Sequence, residues 1–191
     1  MQKLTAKDIW PNAIYEKARA ESRARLSALK KPRRVELGDS VTLLFENRDT
    51  VKDQIQEMAR VEHITSPEGI QAELDVYNGL IPGESELSAT LMIEITDEAR
   101  IPVVLNELLG LEEQLFLRVG GSEVRARFEE GRSDGARISA VQFVRFGLSP
   151  EQRREFLAAN VASLELRHPN YQAKRALEGE TLASLQRDLE G

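Results

Sequence analysis

Cysteine is absent from the 191 residues, and histidine occurs only as His63 and His168. The first absence excludes a disulfide framework, a thiol nucleophile and any cysteine-ligated zinc site or iron–sulfur cluster. The second leaves too few imidazoles for a three-histidine metal site within one chain. Aromatic residues are scarce at 5%, with a single tryptophan, Trp10. Long apolar runs are missing as well. The best candidate, residues 101–111, is interrupted by Asn106 and Glu107 and falls short of the roughly 18–20 residues that span a bilayer, so no membrane partner is expected. The opening MQKLTAKDIW has no apolar core behind a basic start, the mark of a signal peptide. That pattern, with the missing cysteines, predicts a cytoplasmic protein. The 26 Lys and Arg residues against 32 Asp and Glu leave a net charge of −6, which argues against nucleic acid as a partner, because such binding depends on neutralising phosphates.

What is present describes a globular chain: 41% hydrophobic and 30% charged, long enough for a self-sufficient core. The charge is unevenly spread. Lys17, Arg19, Arg23, Arg25, Lys30, Lys31, Arg33 and Arg34 are opposed locally only by Glu16 and Glu21. This basic stretch reads either as a docking surface for an acidic or phosphate-bearing partner, or as a solvated helix face with cations favoured near its C-terminus.

Along the chain, Thr5 with Asp8 resembles a helix cap, and a helix is predicted to about Lys30, with Pro11 kinking it or starting a second segment. Its apolar stripe (Ile9, Ile14, Ala18, Leu26, Leu29) is thin, which leaves a face for a protein partner or a homodimer. Residues 35–37 and 41–45 read as a hairpin through Gly38-Asp39. A helix is predicted over about 51–64, and Ser66-Pro67-Glu68 starts another. Residues 87–95 alternate as a strand. Thr96-Asp97-Glu98 caps a helix that ends at Gly110. Residues 115–119 and 122–128 flank Gly120-Gly121, a two-residue hairpin signal that pairs Val119 with Ser122, Arg118 with Glu123, Leu117 with Val124, Phe116 with Arg125 and Leu115 with Ala126. Leu115, Leu117, Val124, Ala126 and Phe128 are then expected on one face. Residues 129–135 read as a loop and 138–146 as a central strand apolar on both faces. A short helix from Ser149, a strand over 161–167 and a last helix from about Thr181 complete the chain. The expected fold is α+β: a mostly antiparallel sheet with helices packed on one side, as a single domain (1–191) with residues 1–31 as an N-terminal helical arm.

No phosphate loop, dinucleotide fingerprint, zinc-protease helix or nucleophile elbow occurs. One polar constellation stands out: Glu46, Asn47, Arg48, Glu57, His63, Glu73, Tyr77 and Asn78, on two consecutive helices or at their entry. If those helices pack antiparallel, Glu57, Glu73 and His63 could converge on a divalent metal, since carboxylate and imidazole suit iron, manganese or zinc. The bland reading is a set of structural ion pairs. His168 reads as an exposed loop residue. Arg118, Arg125, Arg127 and Arg145 suggest either an anion-binding face or a solvated one.

Four runs, TLLFENRDTV (42–51), QIQEMARVE (54–62), ELDVYNGLIPG (73–83) and LSATLMIEI (87–95), resemble in order and spacing an uncharacterised bacterial family of domains of unknown function. The later VGG hairpin and SAVQFVRF (139–146) fit the same pattern. The resemblance implies no catalytic residues. It does imply a context, because such proteins are often encoded beside a rubrerythrin-like protein and an iron–sulfur oxidoreductase. Two functions follow as expectations: a non-enzymatic accessory or binding component associated with redox or peroxide-stress proteins, or a carboxylate- and metal-dependent enzyme using the Glu57/Glu73 region, with Glu46, Glu94 or His63. Whether it is an enzyme stays open at this level, as does any cofactor other than a cysteine-ligated cluster.

Overall fold

A computed structural model describes residues 1–131 and 137–190. Of the expected loop at 129–135, residues 132–135 lie outside the described residues. Thr5 donates from its N–H and its hydroxyl to Asp8 Oδ2 (2.8 and 3.0 Å) and opens a short 3-10 turn, Ala6–Asp8. Pro11 then restarts the chain as helix α1, Asn12–Lys30, so the proline separates two segments. Strands β1 (Arg34–Glu36) and β2 (Val41–Glu46) form the expected hairpin.

Asn47 accepts from the N–H groups of Asp49 and Thr50 and begins α2, Arg48–Val61. That helix ends on His63, whose positive φ of 55° lets Ile64 N–H reach Ala59 O at 2.8 Å and His63 N–H reach Arg60 O at 3.3 Å, the double bond of a left-handed helix stop. Ser66 accepts from Gly69 N–H and starts α3, Pro67–Tyr77. There follow β3 (Glu86–Ile93), α4 (Ile101–Glu107), β4 (Leu115–Val119), β5 (Ser122–Arg125), β6 (Arg127–Phe128), β7 (Val141–Gly147), α5 (Pro150–Ala158), β8 (Ala162–His168), β9 (Tyr171–Leu177) and α6 (Gly179–Glu190).

This is an α+β fold in which every strand pairing is antiparallel. The strands divide between two sheets, ordered β1-β2-β3-β7-β6 and β5-β4-β8-β9. The hairpin register at Gly120-Gly121 is the one expected from a two-residue turn, and Ala126 N–H continues it to Leu115 O at 2.9 Å. Phe128 departs from expectation: β6 pairs with β7 in the other sheet, so the chain crosses between sheets after Ala126. Strand β7 is second from that edge, with Gln142, Val144 and Phe146 buried while Phe143 and Arg145 are half-buried. Its fully buried face belongs to the main core, and Phe143 on its other face packs against a second cluster. Strand β9 had no counterpart in the sequence reading. It is an edge strand in which only Leu177 is fully buried, so its apolar alternation is weak.

The inner faces of the two sheets share one core with α4, α5 and α6, centred on Leu43, Phe45, Leu91, Leu117, Leu164, Phe146, Phe156 and Leu185. A second cluster (Leu4, Ile9, Val51, Ile55, Leu74, Leu80, Ile81) packs α2, α3 and the N-terminal segment with Phe143, on the opposite face of the five-stranded sheet.

Candidate functional site

The structure distributes the polar constellation among separate duties. Asn47 is the cap of α2, and Arg48 pairs with Asp8 at 2.6 Å. Asn78 brackets Leu4, accepting from its N–H at 2.8 Å and donating to its carbonyl at 2.9 Å, which seats the N-terminal segment. Tyr77 packs on the cluster around Val51 and Leu74. Glu46 is buried and accepts from the hydroxyls of Thr50 and Thr90, the latter at 2.7 Å.

Glu57 turns to α1. Arg19 holds it through two bonds (2.8 and 3.1 Å), Tyr15 donates to it at 2.7 Å, and Arg60 approaches to 3.1 Å. Hydrogen bonding from Arg19, reinforced by Tyr15 and Arg60 against partial burial, holds its pKa down at about 2. Glu73 is half-buried, and burial together with the charge of Glu62 raises its pKa. His63 is exposed at the helix stop. Glu57, Glu73 and His63 are not brought together. Among the described residues no three His, Asp or Glu side chains stand close enough to hold a metal ion, and Glu57 is bonded by Arg19 and Tyr15 of α1 and Arg60 of α2.

Two other expectations change. His168 is buried rather than exposed: its Nδ1 accepts from Asn170 N–H at 3.2 Å, so Nε2 carries the proton donated to Leu109 O at 2.9 Å. The four arginines are split between sheets. Arg118 and Arg125 pair with Glu123, Glu165 and Glu113 on the four-stranded sheet, whereas Arg127 and Arg145 share Glu86 on the other.

The feature that sequence reasoning missed is the groove between α1 and α2, a cavity of about 330 Å³. The two helices meet in opposite order: Asn12 Nδ2 donates to Ala59 O at 3.0 Å, Arg19 pairs with Glu57, and Lys30 lies 3.8 Å from Asp53. Ala18, Leu26 and Leu29 on α1 and Trp10 at its entry give the groove an apolar wall, and Asp53 and Lys52 face them from α2. Gln56 fixes the entry by exchanging hydrogen bonds with both backbone groups of Trp10 (2.8 Å each), and Lys52 lies 5.3 Å from the indole centroid, within cation–π range. Burial, aided by the nearby charge of Glu57 and opposed by Lys30, raises the pKa of Asp53. Burial and the bond to Glu57 raise that of Tyr15. Tyr15 therefore keeps its proton as the donor to Glu57, whose own pKa is held down. A legible signal did exist: Tyr15/Arg19 and Asp53/Glu57 are each spaced four apart, so each pair lies on one helix face.

The structure also sorts the basic stretch. Arg19, Lys30, Arg33 and Arg34 are paired, with Glu57, Asp53, Asp188 and Glu94. Lys17, Arg23, Arg25 and Lys31 remain exposed.

A family profile described as a protein of unknown function (DUF3501) matches residues 3–189. A crystal structure of a novel protein of unknown function from Burkholderia pseudomallei K96243 is similar at 36% identity and a TM-score of 0.92, covering 98% of this chain and all of that one. No curated protein matches. The resemblance read from the FENRDTV and YNGLIPG runs is thereby given its family: the chain belongs to the DUF3501 proteins of unknown function.

Proposed function

We propose that this protein is a non-enzymatic binding component whose docking surface is α1 with the α1–α2 groove, and that its occupant is an acidic amphipathic helix of a partner protein. The observation that carries the reading is an apolar wall on α1 with exposed cations beside it, Arg25 at the groove and Lys17, Arg23 and Lys31 along the same helix. Glu21, Asp49 and Asp53 also line the groove, so the partner's carboxylates would meet the exposed face of α1 and its apolar stripe the groove itself. A helix with one apolar stripe flanked by carboxylates matches both features. In this reading the chain is one α+β domain in the cytoplasm, and residues 1–31 are its recognition arm. The context implied by the family resemblance nominates a rubrerythrin-like protein or an iron–sulfur oxidoreductase as the first partners to test. Without cysteine, this chain would serve such a system by binding rather than by carrying a cysteine-ligated cluster.

Because Trp10 is the only tryptophan, its fluorescence reports groove occupancy when a partner's signal is subtracted. Titration with each purified candidate should shift Trp10 emission saturably, weaken steeply with salt, and lose at least about tenfold in affinity in the double variant Arg25→Glu, Lys31→Glu. Binding that ignores those two charges would overturn the reading. So would light scattering that shows a stable dimer with Trp10 already protected, because a second copy would then fill the groove.

A further inference from the structure

A second concavity, of about 600 Å³, opens between the end of α3 and strands β3, β6 and β7 and shares no lining residue with the α1–α2 groove. Its floor follows from strand register. Ser88 pairs with Arg145 and Thr90 with Phe143, so Glu86 and Ser88 on β3 and Phe143 and Arg145 on β7 project from one face of the sheet. On the other side of β7, Arg127 stands directly opposite Arg145. Two like charges in cross-strand register repel, and Glu86 answers both: it lies against Arg145 and 3.5 Å from Arg127. A third cation is close by. Lys3 donates to the carbonyls of Asn78 and Ile81, and its pKa is lowered by burial and by the charge of Arg145. These three cations stand around Glu86, Glu129 also lines the cleft, and Tyr77 and Phe143 supply its aromatic surface.

We propose that this cleft is a binding site for a small organic carboxylate, its head group between Arg127 and Arg145 and its apolar body against Tyr77 and Phe143. Guanidinium pairs recognise carboxylates through paired N–H donors, and a cavity with apolar walls and a few convergent polar groups is the usual form of a small-ligand site. The site carries no catalytic claim, and it stands whether or not α1 docks a partner.

Phenylacetate is the probe, its neutral amide the control and inorganic phosphate the competitor, with amide chemical shifts of the full chain as the readout. Phenylacetate should shift the amides of Gly79, Ser88 and Phe143 saturably, and phenylacetamide should bind at least about tenfold more weakly. Arg127→Gln, at an exposed position that leaves the core untouched, should weaken phenylacetate several-fold, and Arg145→Gln should abolish binding while the remaining spectrum stays native. Equal binding of acid and amide, shifts unaffected by either substitution, or no saturable shift at all would overturn the proposal. Phosphate displacing phenylacetate at equal concentration would overturn the role of the aromatic walls.

Discussion

Glu57 and Asp53 sit one turn apart on α2, face the same helix and titrate in opposite senses. Glu57, bonded by Arg19, Tyr15 and Arg60, takes up its proton less readily folded than unfolded. Its contribution to stability is complete above the ordinary carboxylate value of 4.5 and is lost as pH falls toward about 2. Asp53 has a raised value, so the folded chain binds that proton first; its contribution favours the fold on the acid side and declines as pH rises through the raised value. Glu57→Gln should therefore cost about 1 kcal/mol at neutral pH, the scale of a partly exposed ion pair, and the difference from the parent should shrink below pH 4.5 and vanish only below about pH 2. Asp53→Asn should be near neutral at pH 7 and give a difference of opposite slope. Urea unfolding at a series of pH values checks both, and parallel curves for the two variants would contradict these assignments. The ion-pair reading of Glu57 was open to anyone counting charges, but its partner was not, because Arg19 lies 38 residues away.

At the scale of elements, the chain's ends are joined by a buried charge. Arg33 is 1% exposed; it donates to Phe45 O at 2.8 Å, Glu46 O at 3.1 Å and Ser184 Oγ at 2.9 Å, and pairs with Asp188 on α6. Burial raises the pKa of Asp188 and Arg33 opposes that rise. Removing one partner strands the other in the core, so Asp188→Ala should destabilise by about 3–5 kcal/mol, while the paired change Arg33→Met with Asp188→Leu should recover most of the loss. Denaturant midpoints for the single and double variants decide this. Local elements were legible wherever caps and periodicity agreed, as at Ser66-Pro67, Ser149-Pro150 and the Gly120-Gly121 hairpin. Gly120 adopts φ +53°, and a Cβ there would also meet the Glu155 carboxylate, whose Oε1 accepts from Gly121 N–H at 3.2 Å. Gly120→Ala should cost about 1–2 kcal/mol and lower the thermal midpoint accordingly.

For the molecule as a whole, the decisive contact between sheets is made by Tyr171. Its hydroxyl donates to Leu37 O at 2.9 Å and accepts from the N–H groups of Ser40 and Val41 at 2.9 and 3.2 Å. The start of β9 is thereby fastened to the β1–β2 turn, where Gly38 at φ +79° leaves room for the ring. Tyr171→Phe leaves those backbone groups without their partner and should cost about 1–3 kcal/mol. Amide exchange should quicken at Ser40 and Val41, the two amides that donate to the hydroxyl, before it does in the rest of β2. Protection unchanged at those amides would show that the clamp is dispensable.

The sequence by itself determined most of the strands, the caps at Ser66 and Ser149 and the hairpin register, because these depend on residues within a turn or two of one another: Ser66 with Gly69, Ser149 with Gln152, Arg118 with Glu123. It also determined what the chain lacks, and it carried the family's motifs. Only tertiary structure decided that the strands form two sheets, that Arg19 and Tyr15 of α1 bond Glu57, and that half of the basic stretch is paired with carboxylates elsewhere in the chain. Each of those outcomes depends on partners separated by tens to more than a hundred residues, and side-chain periodicity is blind to contacts at that range. The −6 charge and the missing cysteines therefore limit the chemistry available to the chain, while the groove beside α1 and the arginine-lined cleft on β7 are products of packing.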